Sequence, residues 1–344
     1  MMRGRYWVFL AAIPAALLAA DIVYWRIASD RLRNGLQDWI AAQRSQGWDI
    51  DAAPATLGGW PRAASVTVPG LHMRHTGSAL PGVFEWASSG LVLSIPLYLP
   101  TDVDISFRGP QRLRIGTAPA TVVTGETLAA AVPLGQDVPA SFTLHAAGLH
   151  VQPAAGAWQV TAGLLNARAA LSGRGASEGV AFLASAEAIE LPPGFNWALG
   201  RNISSASAEG RLNGPFPPGG DIAAQARAWR DNGGSFEIGH LALGWGPLGL
   251  TSSATLALDD QLQPMGSGNA RIVGYAETLD RLAAAALLSR SAATAAKAVL
   301  SLMAGTSDTD APPEVDVPLT LQYRTLSMRQ VPLVRLPELD WPAR

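Results

Sequence analysis

Apolar and polar side chains alternate along much of this 344-residue chain, and a period of two marks strands that bury one face and wet the other. In residues 248–258 the even positions Leu248, Leu250, Ala254, Leu256 and Leu258 are apolar, Ser252 being the exception, while Gly249, Thr251, Ser253 and Thr255 fall opposite. Val103, Ile105 and Phe107 alternate with Asp102, Asp104, Ser106 and Arg108, and Val317, Leu319, Leu321 and Tyr323 alternate with Thr320, Gln322 and Arg324. Leu91, Leu93, Ile95, Leu97 and Leu99 mark a further strand, with Val92 and Tyr98 opposite to give it apolar residues on both faces. Phe236 and Ile238 continue to Leu241, Leu243 and Trp245 with a one-residue change of phase near His240, the pattern of a β-bulge. Strands of this kind predict a mainly antiparallel sheet.

Helical spacing interrupts the alternation in three places. Residues 29–47 carry Leu32, Leu36, Trp39 and Ile40 on one face, with Ser29 or Asp30 placed to cap the start and Gly47 to end it. Residues 221–230 follow a Pro-Pro-Gly-Gly loop and space Ile222, Ala226 and Trp229 helically. Residues 278–303 are rich in alanine and leucine, break near residues 289–291, and hold Arg281, Arg290 and Lys297, too many charges for a membrane span. Ser307, Asp308, Thr309 and Asp310 predict an exposed loop over 305–313. Pro332, Pro337 and Pro342 make the end of the chain an edge strand or an extended tail.

The start of the chain follows neither pattern. Residues 6–25 are almost wholly apolar, with Arg3 and Arg5 before them and Arg26 after. At ~1.5 Å of helical rise per residue, roughly 20 such residues span the ~30 Å hydrocarbon layer of a bilayer. Tyr6 and Trp7 at one end and Tyr24 and Trp25 at the other suit the two interfaces. The basic tail predicts a cytoplasmic N-terminus and a single pass, with the bulk of the chain across the membrane; in a bacterium that membrane would be the inner one and the far side the periplasm. A cleaved signal sequence gives the same compartment, but a cut after Ala20 would put Leu18 where a small residue is preferred. The expected organisation is an anchor over 1–28 and one β-rich periplasmic domain over 29–344, with helices near 29–47, 221–230 and 278–303.

Charged residues make up 15% of the chain and hydrophobic ones 48%, against about 25% charged in an ordinary soluble domain. So little charge points to a second apolar face besides the core. The absence of cysteine removes disulfides, thiolate metal sites and cysteine nucleophiles. A formal net charge of -2 offers no basic stripe for nucleic acid.

Candidate chemistry is sparse. His72 and His75 lie three apart in a strand and point to opposite faces, a poor geometry for shared metal ligation. Asp49 with Asp51, Asp102 with Asp104, and Asp308 with Asp310 have one-face spacing but lack the continuation of a calcium loop. Ser267 between Gly266 and Gly268 lacks the strand–nucleophile–helix setting of an activated serine and reads as a turn. Asn202-Ile203-Ser204 is a glycosylation sequon only for a host that modifies exported chains.

The helix ending in GWDI, the phrases LGGWPRAASVTVPGL and FEWASSGLVLSIPLYLPTDVDISFRGP, and the later NGGSFEIGHLALGWGPLGLTSSATLALDDQLQPMGSGNARIVGY resemble the uncharacterised proteobacterial domain-of-unknown-function family 2125. The resemblance covers nearly the whole chain, and its most specific pieces are residues 58–61, Trp245-Gly246-Pro247 and residues 263–275. That family has no assigned catalytic residues, so none is transferred. The Gly-Gly-Ser-Phe and Trp-Gly-Pro strands are also similar, less specifically, to AsmA-like envelope proteins. This similarity implies an anchored β-sheet body with an apolar groove and a role in lipid transport or outer-membrane assembly.

The expected fold is thus mainly β with flanking helices (α+β), a long curved antiparallel sheet behind an N-terminal transmembrane helix. The expected function is non-catalytic and without cofactor or metal: binding or transferring phospholipid or another acyl lipid in envelope maintenance. The candidate groove residues are Leu93, Ile95, Leu97, Phe107, Trp245, Leu250, Leu256, Leu319 and Leu321. Two other uses of these positions stand beside it, a closed core under the helices and an envelope scaffold or assembly factor that docks a protein partner through edge strands or exposed aromatics.

Overall fold

The computed structural model describes residues 3–76, 83–116, 118–135, 140–156, 158–172, 179–214, 222–304, 314–328, 331–339 and 341, with side chains from residue 15 onward except those of 172 and 331. One helix, α1 (Arg3–Ser45), opens the chain. The apolar run and the helical pattern expected over 29–47 therefore fuse, and Ser29 is fully buried in mid-helix instead of capping an end. Nothing between Trp25 and Leu32 stops a helix: the stretch lacks Gly and Pro, and Arg26 and Arg33 both pair with Asp30. Among the described residues no helix is long and apolar enough to cross a membrane. The side chains of residues 6–14, the first part of the apolar run, lie outside the described residues. The body already grips the end of that run, since Trp60 Nε1 donates to Asp21 Oδ2 and Trp25 Nε1 to the Gly58 carbonyl, each at 3.0 Å.

The strands form one antiparallel sheet of twenty segments among the described residues. The first ten are β1 (Trp48–Ala52), β2 (Thr56–Gly58), β3 (Ala63–Val68), β4 (Leu71–His75), β5 (Phe84–Ser88), β6 (Leu91–Pro96), β7 (Asp102–Phe107), β8 (Gln111–Ile115), β9 (Thr121–Thr124) and β10 (Thr127–Pro133). They amount to five long strands, each broken at a corner. On one side of the break β1, β4, β5, β8 and β9 pair in that order, and on the other β2, β3, β6, β7 and β10. The corners fall at residues 53–55, Pro69-Gly70, Ser89-Gly90, Gly109-Pro110 and Gly125-Glu126, and backbone bonds cross them from Arg108 N to Gly90 O at 2.8 Å and from Glu126 N to Ala147 O at 3.0 Å. β11 (Ser141–Pro153) gathers both limbs on one edge, with β10 along its first half and β9 along its second.

From β11 the sheet follows chain order through β12 (Val160–Ser172), β13 (Gly179–Glu190), β14 (Asn202–Asn213), β15 (Ser235–Trp245), β16 (Leu248–Leu258), β17 (Pro264–Val273), β18 (Glu314–Gln322), β19 (Thr325–Met328) and the edge strand β20 (Val331–Arg335). The phase change near His240 is a register shift between Ile238 and Leu241. Ser267 lies inside β17 and not in a turn; its glycine neighbours are needed for close pairing, since a Cβ on Gly268 would stand 2.3 Å from the Ser253 carbonyl. β6 stops at Pro96, short of Leu99, because Pro96 and Pro100 cannot donate to a ladder. β18 stops at Gln322, and Tyr323 and Arg324 make the next turn with φ of 50° and 62°.

Both limbs feed one core: Ile50, Leu71 and Met73 from one side of the corners meet Val66, Val68, Leu91 and Leu93 from the other, and α1 lays Leu32, Leu36 and Ile40 across them. Each fully buried side chain of this size contributes about 1.5–3 kcal/mol. A second helix, α2 (Ile222–Asp231), sets Ala223 and Ala226 against Leu258, Leu262 and Trp341. The expected helix over 278–303 is two, α3 (Tyr275–Ala284) and α4 (Arg290–Ala304), which pack Tyr275, Leu300 and Met303 on Val315 and Val317. The break comes earlier than residues 289–291, at a left-handed Ala286 (φ 58°), and Ser289 Oγ caps α4 by accepting from Ala292 N at 3.1 Å. The loop expected over 305–313 lies outside the described residues.

Candidate functional site

Two stripes of α1 overlap at Leu32 and Leu36. Leu32, Leu36 and Ile40 pack on the core, and Leu32 and Leu36 also join Tyr24, Ile27, Ala28, Arg31, Gly35 and Trp39 in one wall of a cleft of about 750 Å³. The opposite wall is apolar sheet: Ile95 and Leu97 from β6, Val103, Ile105 and Phe107 from β7, then Val132 and Leu134 at the end of β10. Trp86, Leu71, Leu91 and Leu93 close its deep end, where the Trp86 and Phe107 rings meet edge to face at 6.0 Å. Arg31 is the one charged residue of this lining, and among the described residues its side chain has no hydrogen bond or ion pair. The volume falls in the range of about 300–1,000 Å³ typical of small-molecule sites, but the lining is more uniformly apolar than a site for a polar metabolite needs.

Four of the expected groove residues, Leu93, Ile95, Leu97 and Phe107, therefore line one cleft. The other five lie elsewhere. Trp245 sits at the end of β15, its Nε1 donating to Gly200 O at 2.8 Å and its ring 6.3 Å from that of Trp197. Leu250 and Leu256 are half-buried on β16, Leu319 packs beneath α4, and Leu321 is buried.

Cross-strand register nevertheless joins the cleft to this distant part of the sheet. Ile105 faces Ala130, and the row continues through Leu144, Ala167, Ala184, Ala208, Leu241, Ser252 and Ala270 to Val317. A parallel row runs through Val180, Leu212, Phe236, Leu256, Gly266 and Leu321. One apolar face thus extends from α1 to α4. Helices cover its two ends and α2 packs on Leu258 of β16, but β13 to β16 contribute no fully buried hydrophobic side chain among the described residues. Phe182 and Phe236 stack on this stretch at 5.6 Å.

The wall supplied by α1 is not among the expected groove residues, because the length of the apolar run through residues 24–28 points to a span and hides the faces they present. The helical spacing of Tyr24, Ala28, Arg31, Gly35 and Trp39 was the available signal. Nor are Val132, Leu134 and Trp86 among the expected groove residues; they reach the cleft only through the pairing of distant strands.

The polar candidates remain apart. His72 binds Glu85 at 3.0 Å, and Arg114 reaches the other oxygen of that carboxylate at 3.0 Å; the His72 hydrogen bond above all, with the Arg114 charge, holds the Glu85 carboxyl below its ordinary range. His75 stacks on Trp48 at 4.8 Å. Asp49, Asp51 and Asp104 are exposed, Asp102 accepts from Thr101 Oγ1 at 2.7 Å, and Asp308 and Asp310 lie outside the described residues. No group of three or more His, Asp or Glu that could hold a metal ion occurs among the described residues.

The phrases that carry the family resemblance meet as packing nodes. Gly274, with φ of 70°, lies so close to the Trp245-Gly246-Pro247 turn that a Cβ on it would stand 1.9 Å from the Pro247 carbonyl. Trp60, in the 58–61 phrase, holds α1 through Asp21. Comparison with curated proteins and with solved structures finds no match. Residues 25–337 match the family described as an uncharacterized protein conserved in bacteria (DUF2125), and the chain belongs to that family.

Proposed function

We propose that this is a membrane-anchored, non-catalytic protein of the bacterial envelope that shelters acyl chains of phospholipid or another acyl lipid between α1 and the sheet. The observation that supports this most is the continuity of the apolar cleft with the part of the sheet face, on β13 to β16, that holds no fully buried hydrophobic side chain among the described residues. A face serving only as core would be covered along its length; an apolar face left open in water marks a binding surface. Hydrocarbon removed from water there gains roughly 25 cal/mol per Å² of buried apolar surface. The Arg31 guanidinium at the cleft, unpaired among the described residues, suits an anionic headgroup. The AsmA-like style of the strands points the same way, by analogy only. The basic start and apolar run of α1 support a cytoplasmic N-terminus with the sheet in the periplasm. The scaffold reading draws on the free edge of β20, where Leu333 and Val334 are 52% and 49% exposed.

Gly35 offers a direct test, because a Cβ placed there has nothing within 4 Å and a large side chain would fill the cleft without displacing the core. Full-length protein extracted in detergent should carry phospholipid in native mass spectrometry and take up a fluorescent fatty acid saturably. Gly35→Trp should fold, keep its thermal midpoint, and lose both signals. A parent protein that carries no lipid and binds no probe would sink the proposal, as would a folded Gly35→Trp that binds like the parent.

A further inference from the structure

We infer that the turn joining β6 to β7 and the loop joining β2 to β3 insert into the surface of a lipid bilayer beside α1, so that the cleft opens into the membrane and not into water. Tyr98 and Leu99, at the tip of the first turn, are 74% and 76% exposed, an adjacent pair of large apolar side chains with no cover among the described residues. No charged residue occurs from Leu91 to Thr101; the nearest charges are Asp102 and Asp104, on β7 behind the tip, and Arg62 in the second loop. The second loop carries Trp60, 43% exposed and tied to Asp21 of α1. The two lie together, since Ala63 pairs with Pro96 and Leu97 N donates to Arg62 O at 3.2 Å.

Both therefore stand at the same end of the sheet, level with the helical turns where the apolar run of α1 ends and where Ile22, Val23 and Tyr24 are 42%, 58% and 48% exposed. Tyr24, Trp60 and Tyr98 are thus exposed aromatic side chains at this end of the molecule. Rings with one polar atom collect at the membrane–water boundary because one end can be wet while the other is buried. Pro96, Leu97 and Pro100, which begin and end the turn, also line the mouth of the cleft opposite Tyr24 and Ile27. An acyl chain leaving the bilayer at this end of the sheet would reach the cleft without crossing water. The inference rests on the reading of α1 as a membrane anchor, and its partner is the bilayer surface itself.

The chain has no cysteine, so a single introduced one is labelled uniquely. Full-length Leu99→Cys, Tyr98→Cys and, as a control on the wet face of β16, Thr255→Cys would each carry an environment-sensitive dye. They would be reconstituted into vesicles of phosphatidylcholine with phosphatidylglycerol. Labels at 98 and 99 should shift to the blue, be quenched by nitroxides on the lipid chains, and lose quenching by iodide; the label at 255 should show the reverse. Iodide quenching at 98 and 99 equal to that at 255 would overturn the inference, and so would a protein that fails to float with the vesicles. Shielded labels in a protein that binds no fatty acid would leave membrane insertion standing and remove the acyl-binding reading, so the two fail separately.

Discussion

Leu256 and Thr255 are neighbours on β16 whose side chains meet opposite fates. Leu256 is half-buried over Gly266 and faces Phe236, whereas Thr255 is exposed. Leu256→Asp sets a carboxylate against apolar neighbours and should cost on the order of 2 kcal/mol, while Thr255→Asp should cost less than about 1 kcal/mol. Thermal unfolding of the two variants measures the difference, and equal shifts would mean that the apolar face has been assigned to the wrong side. The alternation in residues 248–258 already told these positions apart, because in a strand the side-chain period alone decides the face.

Elements meet at a few places where backbone approaches backbone. Gly274 ends β17, starts α3, and leaves no room for a Cβ against Pro247 in the β15–β16 turn. Gly274→Ala combines that overlap with a left-handed φ and should cost several kcal/mol, about the upper range for a single substitution. A chemical-denaturation midpoint unchanged from the parent would show that the turn can move aside. The sequence marked both phrases as unusual without showing that they touch. Their contact depends on the β16–β17 register and on α3 folding back, which local spacing does not encode.

At the scale of the whole molecule, the buried apolar side chains among the described residues gather under α1, around Ala146, Leu149 and Ala162 on β11 and β12, under α2, and under α3 and α4, whereas β13 to β16 hold no fully buried hydrophobic side chain. Local stability follows buried contact, so opening should begin in the connecting strands. Native-state hydrogen exchange should find amides of β13 to β16 less protected than those of β3 and β6, with a saturating acyl ligand raising the protection of the former. Uniform protection across the sheet would contradict this division. The five broken strands give the β1–β10 end its core, since the corners let two limbs of the same sheet face one another and α1.

The sequence by itself determined the class of the fold, most strand faces, helical structure near residues 221–230 and across 278–303, and the apolar surplus, because these follow from side-chain periodicity and composition within a dozen residues. It also pointed to Leu93, Ile95, Leu97 and Phe107 as groove residues, since hairpin neighbours share a face. Only the tertiary structure decided that Trp245, Leu250, Leu256, Leu319 and Leu321 stand apart from them, that the apolar run and the next helical pattern are one helix, and that α1 supplies the second wall. Those outcomes depend on where strands turn a corner and which distant edge a helix meets, and they are settled by packing between residues far apart in the chain.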